Sequence, residues 1–567
     1  MPQEENAPEN DWTVMFFLAG DNSLAPSLIP QLKAIKEAGF QQKTRVIVRY
    51  DPSEKGARTG IFDVNRERKR APRAPRALSG DGEDSFVRNM LEDEVIIEEL
   101  KAAKGPAAAR LATEAAKADT TPADKALEDF LEYCVTNHTA KHYLLFLVGH
   151  GMVVGNDAFL PDDRPATGVS LKRLEEILRG FSQQARDARG AFELVALHSC
   201  SMSAVEVAYQ LKGTARYMMA SEGISFVGSL PYRQLMKKMI NAVDRAHGRD
   251  MSAAEMKELM SDIYDHCLYN SADFTVAGFS ADLALCDLGD QSKFDRLTAA
   301  LRGLTRALRA ALKSPGGDDL ILLAHLKAQS YWQESYTDLY DLCRCLERGC
   351  AGRAEFDALR AAADGVINEL EISRDAAARF DRLVVRSEYI GPTYQYSHGL
   401  SVFFPWSRPI ADGGEDVLKT YKGYEFTTAL GGGGDDDDGG GQKDDDSWLA
   451  FLNDYFDLTR RPVRRGDRDA PPPADDDELT PNEKELDELA DIPFLPMGPF
   501  APAVVGDVAL AGPDGKASPA MAKSSPADSG GGSCNCATIK NYTLELRDTV
   551  SYGAQKAFKN LLAGKDN

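Results

Sequence analysis

Two residues with chemically reactive side chains each follow a short apolar run of the kind that forms a buried β-strand. His150 follows the run at residues 143–148, and Cys200 follows the run at residues 192–197. The thiolate is the nucleophile of a cysteine enzyme, and a neighbouring imidazole takes the thiol proton and later protonates the leaving amine. These residue types predict a nucleophile, Cys200, with His150 as its general acid and base.

Parallel strands would bring these side chains together despite their separation of 50 positions. In an open α/β sheet the carboxyl ends of parallel strands lie at one edge, where loops form the crevice that binds ligands. Gly151 follows His150 and has no side chain to obstruct its backbone N–H. We expect the N–H groups of Gly151 and Cys200 to form the donor pair that stabilises a tetrahedral oxyanion.

Other segments predict the rest of such a sheet. Residues 12–18 and 44–50 are rich in β-branched and aromatic residues, and residues 28–38 between them have helical spacing. The order strand, helix, strand predicts a parallel pair with a crossover connection. A further helix is expected at residues 124–136, directly before the strand that leads to His150.

The region around and after Cys200 is predicted to be mainly helical. Residues 171–178 form an amphipathic pattern and are followed by a polar loop at 179–190. Residues 201–211 predict a helix that would place the thiol near a helix N-terminus, where the macrodipole favours a thiolate. Residues 235–372 have largely helical periodicity and predict an additional helical part that packs on the sheet.

The chain divides into one large domain with flexible ends. Its 567 residues are 43% hydrophobic, which is enough for a sizeable core. We expect a flexible N-terminus at 1–11, a catalytic domain at 12–460 and a low-complexity, disordered tail at 461–567. Insertions are expected within the domain at about 66–122 and 431–446, the second rich in Gly and Asp.

Charge and composition restrict the class of partner. The formal net charge of −22 opposes binding to nucleic acid or to an anionic membrane, so we expect a protein or peptide partner. Residues 1–11 lack the pattern of a secretory signal, and no apolar run is long enough to span a bilayer. Nine scattered cysteines, an odd number, do not suggest a disulfide framework. These features predict a cytoplasmic protein.

Several motifs together resemble the clostripain family of cysteine peptidases, relatives of caspases and gingipains. The resemblance covers residues 11–460 and includes Trp12-Thr13-Val14, Asp21-Asn22-Ser23-Leu24, Cys200-Ser201-Met202-Ser203, Ala220-Ser221-Glu222 and His398-Gly399-Leu400-Ser401-Val402-Phe403-Phe404-Pro405. It implies a caspase-like three-layer α/β sandwich with a mainly parallel sheet. It also implies that Cys200 is the nucleophile, that His150 is its partner, and that no cofactor is required.

One residue departs from the pattern of this family. The family usually carries an aspartate two residues before the nucleophile, in the pocket for the substrate's arginine or lysine, and this chain has His198 there. An imidazole does not neutralise a buried guanidinium, so a strict preference for arginine is in doubt. Ser221 and Glu222 are also expected in this pocket, and Asp162, Asp163 or Glu222 are alternative sources of a carboxylate.

The resemblance also raises self-cleavage and calcium binding. Family members often mature by a cut between the two catalytic residues, and Arg164, Arg186 and Arg189 are candidate sites here. Some relatives depend on calcium. The weak candidate ligands here are the consecutive aspartates Asp435, Asp436, Asp437 and Asp438, which lack the spacing of a dedicated calcium-binding loop. Asp157, Asp162 and Asp163 are further candidates elsewhere in the chain.

Two other functions stay open at this point. An inactive peptidase fold would serve as a scaffold that binds protein partners. A metal-dependent hydrolase would use His150, His198 and Asp162, although these residues lack a recognisable ligand spacing. For the peptidase, limited cuts that activate an effector protein are the expected action.

Overall fold

The computed structural model describes the catalytic region with several gaps. It describes residues 10–36, 43–52, 59–64, 103–114, 121–152, 154, 158–187, 192–227, 230–246, 249–270, 280–332, 334–376, 378–409, 417–431 and 446–459. The predicted tail at 461–567 lies outside these ranges, as does nearly all of the predicted insertion at 431–446. The predicted flexible N-terminus at 1–11 overlaps them only at its last two residues, which begin the first strand.

A mainly parallel sheet forms the centre of the molecule. The strands are β1 (Asn10–Leu18), β2 (Thr44–Tyr50), β3 (Gly60–Asp63), β4 (Ala140–Val148), β5 (Phe159–Asp163), β6 (Ala166–Val169), β7 (Phe192–His198), β8 (Tyr217–Ala220), β9 (Ala281–Asp287), β10 (Ser330–Tyr331), β11 (Tyr336–Asp338), β12 (Val384–Ile390) and β13 (Ser401–Phe403). Eight of them form the main sheet in the order β12-β9-β8-β7-β4-β1-β2-β3. The five central strands are parallel, whereas β3, β9 and β12 pair antiparallel at the edges.

Helices connect these strands and cover the sheet. They are α1 (Ala25–Lys36), α2 (Pro106–Glu114), α3 (Ala123–Asn137), α4 (Leu171–Asp187), α5 (Val205–Leu211), α6 (Tyr232–Arg245), α7 (Ala253–Asn270), α8 (Gln291–Ala311), α9 (Gly317–Lys327), α10 (Leu339–Cys350), α11 (Asp357–Leu370), α12 (Val417–Lys422), α13 (Glu425–Ala429) and α14 (Trp448–Thr459). Single 3-10 turns occur at Ala354–Phe356 and Ala378–Asp381. Within the described ranges, no helix has the length and apolar composition that a membrane crossing requires.

The sheet buries both of its faces, which explains the continuous apolar runs of its central strands. In β1, Met15 and Phe17 belong to one hydrophobic core, whereas Val14 and Phe16 belong to the other. Helices α1, α6 and α7 cover the second face, and α3, α4 and α5 cover the first, together with α8 to α11. The predicted three-layer α/β sandwich with an additional helical region is therefore confirmed.

Two helix boundaries differ from the predictions. The expected polar loop at 179–190 is wrong over most of its length, because α4 continues to Asp187 with Phe181 and Ala185 buried on its apolar side. The expected helix at 201–211 begins only at Val205. Residues before Val205 are held in extended pairing instead, since Ser203 N–H bonds to the carbonyl of Ser221.

Part of the predicted insertion at 66–122 packs against the domain. Helix α2 lies within it, and its Leu111 is fully buried in the first core. Arg110 on the same helix donates to Asp129 and Glu132 of α3. This segment is therefore tied to the fold by both apolar and charged contacts.

Candidate active site

The ends of β4 and β7 bring His150 and Cys200 to the same edge of the sheet. The strands are parallel neighbours, and Val148 pairs with His198 at the last position of the register. Gly149 N–H then donates to the His198 carbonyl at 3.4 Å. A Cβ on Gly151 would collide with the Cys200 carbonyl oxygen, so the two backbones touch there and only glycine fits.

A hydroxyl holds the imidazole of His150. His150 is 3% exposed, and its Nε2 lies 3.1 Å from Ser23 Oγ. Ser23 sits in the turn that follows β1, and Asn22 fixes this turn by donating to the carbonyls of Ala19 and Pro161. Sequence reasoning missed Ser23, although the signal was present: β1 is the other parallel neighbour of β4, and its carboxyl end lies at the same edge.

The thiol of Cys200 is fully buried against one residue of a following loop. Its Sγ accepts from Ser225 N–H at 3.3 Å and lies 3.6 Å from the Ser225 carbonyl, to which the protonated thiol donates. The next residue, Ser201, has φ of 55°, a left-handed conformation that is strained for a residue with a side chain. The bond from Ser201 N–H to the Gly223 carbonyl supports that conformation.

The thiol does not lie at a helix N-terminus, contrary to the prediction. Helix α5 begins at Val205, and the residues between it and Cys200 follow the neighbouring strands. The macrodipole acts mainly within the first turn, so it does not explain a thiolate here. The N–H of Ser225 is the donor that the structure offers to the sulfur instead.

His198 is buried and uses both of its ring nitrogens. Nε2 lies 2.7 Å from the Phe226 carbonyl, which can only accept, so Nε2 carries the proton. Nδ1 therefore accepts from the Tyr232 hydroxyl at 2.5 Å. Burial lowers the pKa of His198 to about 4, so the ring is neutral near pH 7.

The two other predicted pocket residues differ in their positions. Ser221 lines a cleft together with His198, and its hydroxyl donates to the Asp282 carbonyl at 2.8 Å. Glu222 is fully buried outside that lining, and its Oε2 accepts from Gly399 N–H. The carboxylate that does line the cleft is Asp282, which sequence reasoning missed.

Asp282 fixes the turn after β8. Its two oxygens accept from Glu222 N–H at 2.6 Å and from Gly223 N–H at 2.9 Å. Burial raises its pKa to about 7, and these two hydrogen bonds oppose that shift. Because the Gly223 carbonyl in turn accepts from Ser201 N–H, Asp282 supports the backbone next to Cys200.

Arg164 occupies the turn of a hairpin formed by β5 and β6. Its guanidinium donates to both oxygens of Asp21, and its backbone N–H donates to Asp162. Burial and the charge of Asp51 raise the pKa of Asp162 to about 8. Burial also raises the pKa of Asp163. The carboxylates of this hairpin thus interact with Asp21 and its neighbours.

The remaining predicted residues are distributed as follows. Arg186 lies in the last turn of α4, and Arg189, Asp157 and the four aspartates Asp435, Asp436, Asp437 and Asp438 lie outside the described residues. In the described part of the chain, no three His, Cys, Asp or Glu side chains are grouped as metal ligands. The set His150, His198 and Asp162 is not brought together, and calcium binding by the aspartates stays a prediction.

Comparison with known proteins gives a family match. Residues 17–363 match the profile of the clostripain family. An inactive zymogen C11 protease from Parabacteroides distasonis is similar, with 16% identity over 74% of this chain and 98% of that one and a TM-score of 0.42. A secreted C11 cysteine protease from Bacteroides thetaiotaomicron, in complex with an irreversible peptide inhibitor, has 16% identity over 74% and 99% of the two chains and a TM-score of 0.43. No curated protein matches significantly.

Proposed function

The chain belongs to the clostripain family and is a cysteine peptidase, and we propose that Cys200 and His150 form its catalytic dyad for limited cleavage of protein substrates. One observation carries this proposal. The parallel pairing of β4 and β7 ends at Val148 and His198, so the segments with the two reactive side chains leave the sheet side by side. The close backbone contact at Gly151 supports the same arrangement.

The proposed reaction is acyl transfer through the thiol. His150 takes the proton of Cys200, and the thiolate attacks the carbonyl carbon of the scissile peptide bond. The backbone N–H groups of Gly151 and Cys200 donate to the resulting oxyanion. His150 then protonates the leaving amine, and water hydrolyses the thioester. Because Ser23 engages Nε2, we assign the exchange with the thiol to Nδ1 of His150.

A substrate needs the thiol to be uncovered first. Both polar backbone atoms of Ser225 contact Cys200 Sγ, and the thiol has no exposed surface. We therefore propose that the segment at Ser225 moves when a peptide binds or when the chain is processed. Self-cleavage at Arg164, Arg186 or Arg189 would be such a trigger if the site accepts arginine, and comparison of the intact mass of the wild type with that of Cys200→Ala tests it. Equal masses, apart from the substitution, would exclude self-processing.

Hydrolysis of an unfolded protein substrate tests the dyad. We expect Cys200→Ala and His150→Ala each to lower the rate by at least about 100-fold, the usual contribution of a nucleophile or general base. Cys134→Ala is the matched control, because Cys134 is a buried thiol of α3 that belongs to the first core. Full activity in Cys200→Ala would refute the proposal, and binding of partners without cleavage would favour the scaffold. We also propose that the peptidase activates an effector protein by limited cleavage and that it acts in the cytoplasm.

A further inference from the structure

A cleft lies on the same face of the sheet as the thiol. Cys200 belongs to the second hydrophobic core, and so do Ala196 of β7 and Met219 of β8, which form the floor of the cleft. Ser225, which contacts the sulfur, forms part of its wall. A substrate side chain next to the scissile bond would therefore enter this cleft when the main chain lies over Cys200.

Most of the surface that such a side chain would meet is apolar. The floor and walls include Ala196, Met219, Ile224, Leu230, Leu268 and Leu283. Burial of an aliphatic side chain against such a surface contributes about 25 cal/mol for each Å² removed from water. The composition of the walls thus favours an apolar occupant.

Three polar side chains of the cleft, His198, Ser221 and Asp282, are already engaged. His198 donates to the Phe226 carbonyl and accepts from Tyr232, so its neutral ring offers neither charge nor a remaining nitrogen. Both oxygens of Asp282 accept from backbone N–H groups. Ser221 donates to the Asp282 carbonyl. A guanidinium that enters this cleft would lose its hydration and would have to compete with the turn after β8 for Asp282.

We propose that this cleft receives the substrate side chain on the amino side of the scissile bond and selects an uncharged, apolar one. The inference rests on the proposed function, because it requires Cys200 to attack the next carbonyl. It assigns His198 as a positioning residue. The imidazole of His198 holds Phe226, and thereby the adjacent Ser225. The family aspartate at the same position would instead meet a basic side chain of the substrate.

Cleavage of an unbiased peptide library by the wild-type chain tests the preference. We expect kcat/KM to be at least about tenfold higher after Leu or Met than after Arg, Lys, Asp or Glu. A preference for a charged or polar residue, with cleavage lost in Cys200→Ala, would overturn the inference and leave the peptidase proposal intact. Absence of any Cys200-dependent cleavage would overturn both.

Two pairs of variants locate the preference in this cleft. Ile224 is half-buried at the cleft, so Ile224→Glu adds a carboxylate and Ile224→Gln is its neutral control. We expect the ratio of cleavage after Arg to cleavage after Leu to rise about tenfold in Ile224→Glu and to stay unchanged in Ile224→Gln. His198→Asp should also raise this ratio. His198→Gln is its neutral control, because the side-chain amide can donate to the Phe226 carbonyl without adding a charge. An unchanged ratio in both charged variants would show that the cleft does not receive this side chain.

Discussion

The two residues of the proposed dyad, His150 and Cys200, each have a buried carboxyl cluster beside them, and the two clusters are neutralised in different ways. The His-side cluster contains three carboxyls and two guanidinium groups, namely Asp21, Asp51 and Asp162 with Arg49 and Arg164. Arg49 pairs with Asp51, and Arg164 pairs with Asp21. Among the residues that the structure describes, Asp162 forms no ion pair with a lysine or arginine, which agrees with the rise of its pKa to about 8 through burial and the charge of Asp51.

The Cys-side cluster contains three carboxyls, Glu222, Asp282 and Asp338. In the described ranges no lysine or arginine forms an ion pair with any of them. Backbone N–H groups take the place of cations: Asp338 accepts from Asp341 and His398, and Asp282 accepts from Glu222 and Gly223. Burial, followed by the charge of Asp338, raises the pKa of Glu222 well above its usual value.

The contacts of the two clusters differ in how much they stabilise the backbone around the site. Arg164 is 44% exposed, so its pair with Asp21 is screened by solvent and contributes little. The bonds to Asp282 are buried, and their loss would leave backbone donors without partners. The backbone next to Cys200 therefore depends on Asp282 more than the turn next to Ser23 depends on the pair between Arg164 and Asp21.

Removal of one carboxylate from each cluster should give the largest contrast. Asp282→Ala leaves two buried N–H groups unpaired, so we expect the free energy of unfolding to fall by about 3 kcal/mol. Asp21→Ala should lower it by about 1 kcal/mol, because Arg164 can turn to solvent. Urea denaturation of both variants measures the difference. Equal losses would contradict the comparison.

The pH dependence of stability should reveal the raised pKa of Asp162. The pKa of Asp162 is raised to about 8 in the folded state from about 4 in the unfolded state, so its contribution to stability is complete below pH 4 and is lost as pH rises through 8. Asp162→Asn does not ionise and escapes this loss. We expect it to gain on the order of 1–3 kcal/mol relative to wild type between pH 5 and pH 9. Thermal melts across this range measure it, and parallel curves would contradict it.

The same test applies to the Cys side. The folded state raises the pKa of Glu222, so its stabilising contribution is also lost as pH rises above the usual glutamate range. Glu222→Gln keeps an oxygen for Gly399 N–H and cannot ionise. Its melting temperature should therefore rise relative to wild type at alkaline pH. A relative gain at acid pH instead would contradict the assigned direction.

Arg164→Ala should have the smallest effect. The guanidinium is partly exposed, so we expect a loss of about 0.5–1 kcal/mol of stability and little change in hydrolysis of a peptide substrate. Arg164→Lys is the control that retains charge without the two-pronged contact to Asp21. A loss of stability as large as that of Asp282→Ala would show that the Arg164–Asp21 pair stabilises the site as much as the bonds to Asp282 do.

The parts of the site that follow local pattern could be predicted from the sequence. The apolar runs of β4 and β7 located His150 and Cys200, since central parallel strands are buried on both faces. Ser23 follows from the same rule applied to β1. Asp282 could not be found in this way, because it lies on β9, an antiparallel strand between β12 and β8 whose pairing leaves no local signal in the sequence.

Long-range pairing also explains the helix that began late. The periodicity of residues 201–211 is helical, but Ser203 donates to the Ser221 and Gly399 carbonyls and accepts from Ser401 N–H. These partners lie far along the chain, and together they outweigh the local preference before Val205. The partners of His198, Phe226 and Tyr232, also lie outside its local sequence. The departure from the family pattern was therefore visible in the sequence, whereas the structural role of His198 was not.

Covalent labelling tests the assignment of Cys200 and His150 as the catalytic dyad. A set of peptidyl acyloxymethyl ketones with Leu, Met, Arg or Asp next to the reactive carbon would be incubated with the full chain, and the modified residue would be located by peptide mass. We expect one adduct, on Cys200, that is absent from Cys200→Ala and forms at least about 100-fold more slowly in His150→Ala. An adduct on another thiol such as Cys345, or an unchanged labelling rate in His150→Ala, would contradict it.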